Sequence, residues 1–363
     1  MLYIESTGNV TRSPEIVRTL RVRLRRASWS ENILLSHEAV RFGAGTEVFG
    51  TLHSNFGIRF DGLAHNLVTS SVSTYNDPDH LGSNEFGVHT HVNAPPSTGI
   101  NNSFRAGEAP PNSVADRTDV FEAGRIFPVA PVDFTGVLND LNLMKSDAQA
   151  NVNGSRYFDN SGQGQHIILK TNDTYDIRTV QSFNASTNQI ISYVGEWTNY
   201  SIPDGGIIFV ENNAWLEGAV SGKRVTIVAA NLISASQKTA YLGKDLRYTN
   251  YDCSDMIGVI GQKDVEVYRD SNDILRLDAA LIAQNGRVGR ANYTGATAIR
   301  DTITVYGAIA SHDRYGFAWA DAMGNHVSGY VNRYLYYDNN LLYCPPPYFP
   351  TGSQYVMDMW EEL

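Results

Sequence analysis

Short apolar or alternating runs, each closed by a small or polar corner, recur along most of this 363-residue chain. A clear case is GTLHSNFGIRFDG at 50–62, which predicts a very short strand, a turn at Ser54-Asn55, a second short strand and a glycine stop. Four segments share the order apolar, any residue, Gly or Ala, Ala or Thr, apolar: VFGTL at 48–52, LEGAV at 216–220, LDAAL at 277–281 and VYGAI at 305–309. Each soon reaches a corner: SN at 54–55, SGK at 221–223, QNG at 284–286 and SHD at 311–313. The last two copies start 28 residues apart, about one solenoid coil, while the other spacings are irregular. A coil this small cannot bury its inward side chains alone and leans on the coils above and below. Small corner residues let the chain turn sharply and still stack closely, and Asn at a corner tolerates left-handed backbone. The pattern therefore predicts a mainly β chain built as a parallel β-helix (β-solenoid) with irregular side loops and a few short helices. A β-sandwich or jelly roll is the alternative.

Other segments add detail. TLRVRLR at 19–25 alternates strictly, with Leu20, Val22 and Leu24 on one face and Arg21, Arg23 and Arg25 on the other, and reads as a half-buried strand. Its arginines are expected to be solvated or paired with the surplus carboxylates rather than to form a polyanion site. Ser30-Glu31 before NILLSHEAV reads as the start of a short helix. Asp133 reads as the cap of a second, with Val137, Leu141, Met144 and Ala148 at helical spacing before Gly154. HIILK at 166–170 and YDIRTV at 175–180 flank TNDT as a hairpin. The domain reading is one elongated solenoid over 1–363. A loop excursion at 75–125 packs on its side, and 336–363 forms an irregular, aromatic and Pro-rich cap. Within that cap Tyr343, Tyr348 and Phe349 are expected to find apolar cover beside three consecutive prolines.

Composition narrows the partners. The net charge of −10 disfavours nucleic acid and anionic membrane. No run of 18 apolar residues spans a bilayer, and MLYIESTGNV is not a signal peptide, so either the protein stays where it is made or an export segment lies upstream. Cys253 and Cys344 have no metal-ligand spacing; they read as two buried thiols or as a single long-range disulfide of an exported protein.

Candidate chemistry is sparse. There is no nucleophile elbow, zincin helix, P-loop, dinucleotide fingerprint or EF-hand loop. The best metal candidate is Asp77, Asp79 and His80 together with His89 and His91, because VHTHV as a strand puts both histidines on one face. The competing reading, preferred on sequence, turns His89 and His91 outward to solvent between Val88 and Val92, so no metal or cofactor is expected. A β-helical polysaccharide lyase or glycoside hydrolase would need clustered carboxylates. Asp61, Asp278 and Asp313 lie on different coils, with no paired acids on a repeat strand. Asp61 reads as a turn residue, and His53 as pointing outward or bonded to a neighbouring coil. No catalytic residue is assigned and the expectation is a non-enzymatic protein, with the carbohydrate-active enzyme as the alternative and a trimeric fibre as a third reading.

Several segments in order resemble one family: YIESTG with RTLRVRL, VFGTLHSNFGIRFDG, FEAGR followed by VDFTGVLNDL, IPDGGIIFVENNAWLEGAVSGKRVTIVAA, LRLDAALIAQNGRVG, and YDNNLLYCPPPYFP before a final MW. Together they resemble the PilX-like large minor pilins, surface proteins associated with type IV pili. The resemblance implies a right-handed parallel β-helix in an exported, extracellular or cell-surface subunit acting in filament assembly, tip presentation or adhesion. The implied partners are other pilin subunits or surface proteins and a glycan, host or abiotic surface, with membrane contact only through an N-terminal helix. The prepilin leader and long apolar helix of that family are not in this sequence, which points to truncation. The resemblance brings no catalytic residues.

Overall fold

A computed structural model describes residues 2–134, 137–321 and 325–363; Met1 and the side chains of Arg25 and Val137 lie outside the described residues. The chain is mainly β, with 50% of its residues in strands and 7% in helices. Runs such as Gly206–Val210 (GIIFV) and Met256–Gly261 (MIGVIG) are buried along their whole length. A strand apolar on both faces belongs in the middle of a parallel arrangement rather than on a solvated sheet. Gly206–Val210 lies parallel to Arg156–Phe158 on one side and to Arg224–Ala229 on the other. From there the parallel pairing continues through Met256–Gly261 and Ile274–Ala283 to Ile299–Ser311.

Two copies of the repeated segment lie residue on residue: Leu277 faces Val305, Ala279 faces Gly307 and Leu281 faces Ile309. Gly307 has φ 152°, and a Cβ there would stand 2.0 Å from the Ala279 carbonyl oxygen. The glycine of the repeat is thus what lets successive strands approach.

Stacking order departs from chain order. Ile299–Ser311 pairs with both His326–Tyr337 and Leu34–Ser36. Those two are followed by Thr46–Phe49 and Leu52–Ser54, then by Val68–Ser70 and Arg125–Ile126. The first third of the chain therefore stacks on the last. The ladder's extremes, Arg156–Phe158 and Arg125–Ile126, are neighbours in sequence, and the chain termini leave from its middle.

Residues 127–155 connect those extremes. Val129 N–H donates to the Ser70 carbonyl, and Asn55 holds Val132 through both backbone groups, at 2.7 and 2.8 Å. Asn55, at a corner where Asn tolerates left-handed backbone, has no positive φ and uses its side chain to clamp this strap. Phe134 packs on Trp29 with ring centroids 4.5 Å apart. The strap then enters the helix Val137–Gln149, whose spacing the sequence predicts, and Leu141, Met144 and Ala148 are buried against the first strands of the ladder. A helix with one apolar face and Lys145 bonded to Glu211 at 2.6 Å closes that end of the stack.

Three local expectations change. Ser30-Glu31 opens no α-helix: Trp29–Glu31 is a single 3-10 turn capped by Ser28, and Leu34–Ser36 is extended because the ladder buries Leu34 and Leu35. The hairpin forms as its spacing predicts, Gly164–Leu169 against Thr174–Asn184. The end of the chain is not irregular: Thr351–Glu362 is a strand. Ahead of it Phe349 is buried, whereas Tyr343 stays exposed.

That last strand completes a three-stranded antiparallel sheet in the order Leu2–Val10, Ser13–Ser28, Thr351–Glu362. One face carries Arg21 between Glu5 at 2.7 Å and Glu361 at 3.1 Å, the carboxylate pairing expected for this strand. The other face carries cross-strand rows Ile4–Val22–Trp360 and Leu2–Leu24–Met357. Alternation predicts that this face is half-buried, and Val22 and Leu24 on the middle strand are; among the described residues Leu2 is 50%, Ile4 53%, Leu20 45% and Trp360 66% exposed.

Cys253 and Cys344 are joined by a disulfide across 91 residues, with Cα atoms 5.8 Å apart. It ties a corner of the ladder to the proline-rich segment that leads into the last strand.

Candidate functional site

The densest group of titratable side chains lies where the excursion folds back on the ladder. Glu85–Phe86 pairs antiparallel with Thr74–Tyr75, and Val88–His89 lies parallel to Ile58–Phe60, which itself lies on Val40–Phe42. Gly87 joins the two short strands at a point where a Cβ would stand 1.9 Å from the Val72 carbonyl oxygen. In extended backbone, positions 85, 89 and 91 share a face, and Glu85, His89 and His91 are fully buried. The outward reading of the two histidines is thus overturned. Val88 is buried on the opposite face, and residues 77–105 cover the side of the strand that the sequence reading left to solvent.

Asp77 and His80 come from the preceding turn, which the Asp79 N–H closes by donating to Asp77 at 2.9 Å. Single ligand atoms of Asp77, His80, Glu85 and His91 all lie within 4.8 Å of one another. Nε2 of His80 is 3.0 Å from Glu85 and 3.5 Å from Asp77. Nε2 of His89 is 3.2 Å from Glu85 and 3.6 Å from Asp77, and Nε2 of His91 is 3.2 Å from Glu85. The other ring nitrogens face backbone carbonyls: His80 Nδ1 that of Leu81 at 3.3 Å, His89 Nδ1 that of Phe86 at 3.1 Å, and His91 Nδ1 that of Asn101 at 2.6 Å. Asp77 Oδ2 and His89 Nε2 are buried without a hydrogen-bond partner among the described residues.

Burial opposes ionisation of both carboxyls, but the surroundings outweigh it. His89, the Asp79 N–H and Arg59 hold Asp77 well below the usual carboxylate range. His91, His89 and the Arg105 N–H hold Glu85 below its own. Burial together with the Asp77 charge pushes the Tyr75 phenol well above its ordinary value.

Of the five residues that the sequence offers as ligands, four meet here. Asp79 turns away to Arg314, at 2.7 and 3.0 Å, and to Arg41 at 3.4 Å. Glu85 was missed, although its parity with 89 and 91 was the available signal.

The acids considered for catalysis have separate structural partners. Asp61 is no turn residue: it is buried, accepts from Arg59 Nε at 2.7 Å and from the His91 N–H at 2.8 Å. Asp278 accepts from Arg276 at 2.7 Å and from the Tyr251 hydroxyl at 2.7 Å. Asp313 is exposed beside His312 at 2.9 Å. His53 bonds to Thr69, its neighbour on the next strand, at 2.9 Å, and to Asn55 at 3.1 Å; burial lowers its pKa.

A contrasting histidine sits near the surface. His65 lies between Glu47 at 2.8 Å and Glu122 at 2.7 Å and stacks on Phe49. Slight burial lowers its pKa, but the two carboxylates outweigh this and raise it above the ordinary value. The stabilisation is therefore full below the unfolded histidine pKa and lost as pH rises through the folded one. An NMR titration is expected to place His65 above a free histidine, and Glu122→Gln is expected to bring it back down. An unchanged midpoint in that variant would disprove the pairing.

The fold and this cluster define a mainly β chain with a parallel strand ladder and a closed group of three histidines and two carboxylates under its side loop. No protein-family model matches the chain, and no curated protein matches its sequence. Among solved structures it is similar to the competence-associated pilin ComZ from Thermus thermophilus, at 10% identity and a TM-score of 0.36, over 99% of this chain and 83% of that one.

Proposed function

We propose that this chain is the exported, non-enzymatic part of a type IV pilus-like filament subunit of the PilX-like kind, built as a β-solenoid and joined to neighbouring subunits through its terminal sheet. The observation that carries the reading is the largely open apolar face of that sheet, with Ile4, Val22 and Trp360 in one row and Leu2, Leu24 and Met357 in the next; Leu2, Ile4, Met357 and Trp360 are exposed and Val22 and Leu24 half-buried. A contiguous apolar face on a folded chain marks a surface that another protein covers. Three further features support it. Successive parallel pairing from Arg156–Phe158 to Ile299–Ser311 fits stacked coils better than a sandwich of antiparallel strands. The Cys253–Cys344 disulfide suits an oxidising exterior. The ordered segments from YIESTG to the closing MW resemble the family. Asp61 and Asp278 are buried in structural networks, which favours the non-enzymatic reading over a glycan lyase or hydrolase. The ladder then acts as a stiff support that holds the loops at 75–125 away from the filament for adhesion or tip presentation.

The test is a double variant, Ile4→Ser with Trp360→Ser, expressed in the native cells. Exposed positions of this kind change folding stability by about 0.5 kcal/mol or less, so the thermal transition is expected to stay. Recovery in the sheared filament fraction is expected to fall at least roughly tenfold, as loss of about 1.4 kcal/mol of association energy would produce. Unchanged recovery, or a wild-type chain found free of filaments, would sink the proposal.

A further inference from the structure

We infer that Asp77, His80, Glu85 and His91, with His89 beside the two carboxylates, form a binding site for one divalent transition-metal cation of the zinc type, a structural site that pins the side loop to the ladder. The inference is independent of the filament reading.

The orientation of the three imidazoles carries it. Each ring has Nδ1 against a backbone carbonyl, so that nitrogen bears the hydrogen. Nε2 of His80 and of His89 then points at Asp77 and Glu85 oxygens, and that of His91 at Glu85, 3.0 to 3.6 Å away. A neutral imidazole would aim a lone pair at a carboxylate lone pair, which is repulsive. Something positive must lie between the rings and the acids: three protons or one cation. Three protons would make three imidazolium ions side by side, with ring centroids 4.9 Å apart for His80 and His91 and 5.2 Å for His89 and His91. They would share this buried space with the Arg59 guanidinium, 3.5 Å from Asp77. Arg59 is already balanced by Asp61 at 2.7 Å. That leaves Asp77 and Glu85, two negative charges, which match one dication and fall short of three protons.

The geometry agrees. Asp77, His80, Glu85 and His91 supply four ligand atoms, all within 4.8 Å of one another, with His89 against the same two carboxylates. Ligand atoms about 2.1 Å from a tetrahedral zinc lie roughly 3.4 Å from each other, close to the 3.0 and 3.5 Å from His80 and the 3.2 Å from His91 to these oxygens. The atoms left without a hydrogen bond, Asp77 Oδ2 and His89 Nε2, are fully buried and belong to this group. Hydrogen-bonding of the far ring nitrogen to a carbonyl is the usual way a metal-binding histidine is oriented. Three nitrogens select against calcium and magnesium, which take oxygen ligands. Asp77, Glu85, His89 and His91 are buried and His80 is half-buried; four protein ligands fill a tetrahedral shell and leave no open position for a substrate, so the role is structural.

The experiment uses the purified full chain. It is loaded with zinc, passed through a desalting column, and its metal content measured by mass spectrometry; cobalt substitution gives a visible spectrum as a second readout. About one zinc per chain is expected, with nitrogen-ligand cobalt bands. His89→Gln and His91→Gln are expected to weaken zinc binding by roughly 100-fold or more. His65→Gln, at a histidine with two carboxylate neighbours on the surface, should retain full occupancy. Should the buried variants fail to fold, the wild-type chain decides: chelator is expected to lower its melting temperature, and added zinc to restore it. A folded wild-type chain that neither retains zinc nor shows a cobalt spectrum would overturn the assignment. So would zinc loss in His65→Gln as large as in His91→Gln.

Discussion

Cys344→Ser is expected to destabilise the chain by about 4 to 5 kcal/mol, the loop-closure value for a bridge of this span. The bond closes 91 residues and holds the segment ahead of the last strand against the ladder. That segment has other anchors: Arg224 donates to the Pro345 carbonyl at 2.7 Å, the Thr226 hydroxyl donates to the Pro347 carbonyl, and Phe349 is buried. The native state therefore persists without the bond, and the loss should show as a lower urea midpoint, matched by wild type under reductant. Cys344 is the cleaner position because Cys253 has φ 75°, where a substitution also alters backbone strain. The double serine variant should be no worse than the single one, since both remove the same constraint. A shift below about 1 kcal/mol would show that the rest of the fold already holds the segment.

The second large effect is expected at Asp278. Its fully buried carboxylate accepts from Arg276 at 2.7 Å, from the Tyr251 hydroxyl at 2.7 Å and from the Tyr248 N–H at 3.2 Å, with Arg247 at 3.4 Å. Asp278→Ala leaves the buried Tyr248 N–H facing a hole while the half-exposed Arg276 and Arg247 turn to solvent, which costs about 1 to 3 kcal/mol. Asp278→Asn keeps two acceptor sites and should lose less. The prediction also separates function classes. A catalytic acid replaced by its amide leaves a folded protein without turnover; a structural one lowers the melting temperature of a protein that had no turnover on glycans. Glycan cleavage by wild type, abolished in Asp278→Asn, would reverse the proposed function.

What the sequence made legible follows the range of the interactions involved. The repeat at 277–281 and 305–309 was readable because stacking imposes the same pattern on both partners, and they lie in register. The helix Val137–Gln149 was readable from Leu141, Met144 and Ala148, since one face meets one surface. Leu34 and Leu35 followed ladder demand instead of local capping, and nothing near them in sequence signals that their partners are Ile309 and Ala310. The metal-ligand set was readable in part: His89 and His91 share parity, but whether that face points in or out depends on residues 77–105 folding over it. Glu85 carried the same parity and was passed over because Gly87 interrupts the run. The alternation in TLRVRLR correctly marks an apolar face that is half-buried at Val22 and Leu24, while Leu20 and its neighbours on the flanking strands are exposed, which alternation alone does not show.

A ribosome delivers Leu34–Ser36 and Thr46–Phe49 long before the late strands they stack on, Ile299–Ser311 and His326–Tyr337, have been made. The first third can pair within itself, as Leu34–Ser36 does with Leu52–Ser54, but its join to the rest of the ladder, like that of Ser13–Ser28 to Thr351–Glu362, closes only after the middle is made. Non-local closure of this kind folds slowly and late. Loss of Thr351–Glu362 removes Trp360 and Met357 from the apolar face and leaves only its Leu2–Val10 and Ser13–Ser28 part, so the two ends of this sequence share one surface that neither makes alone.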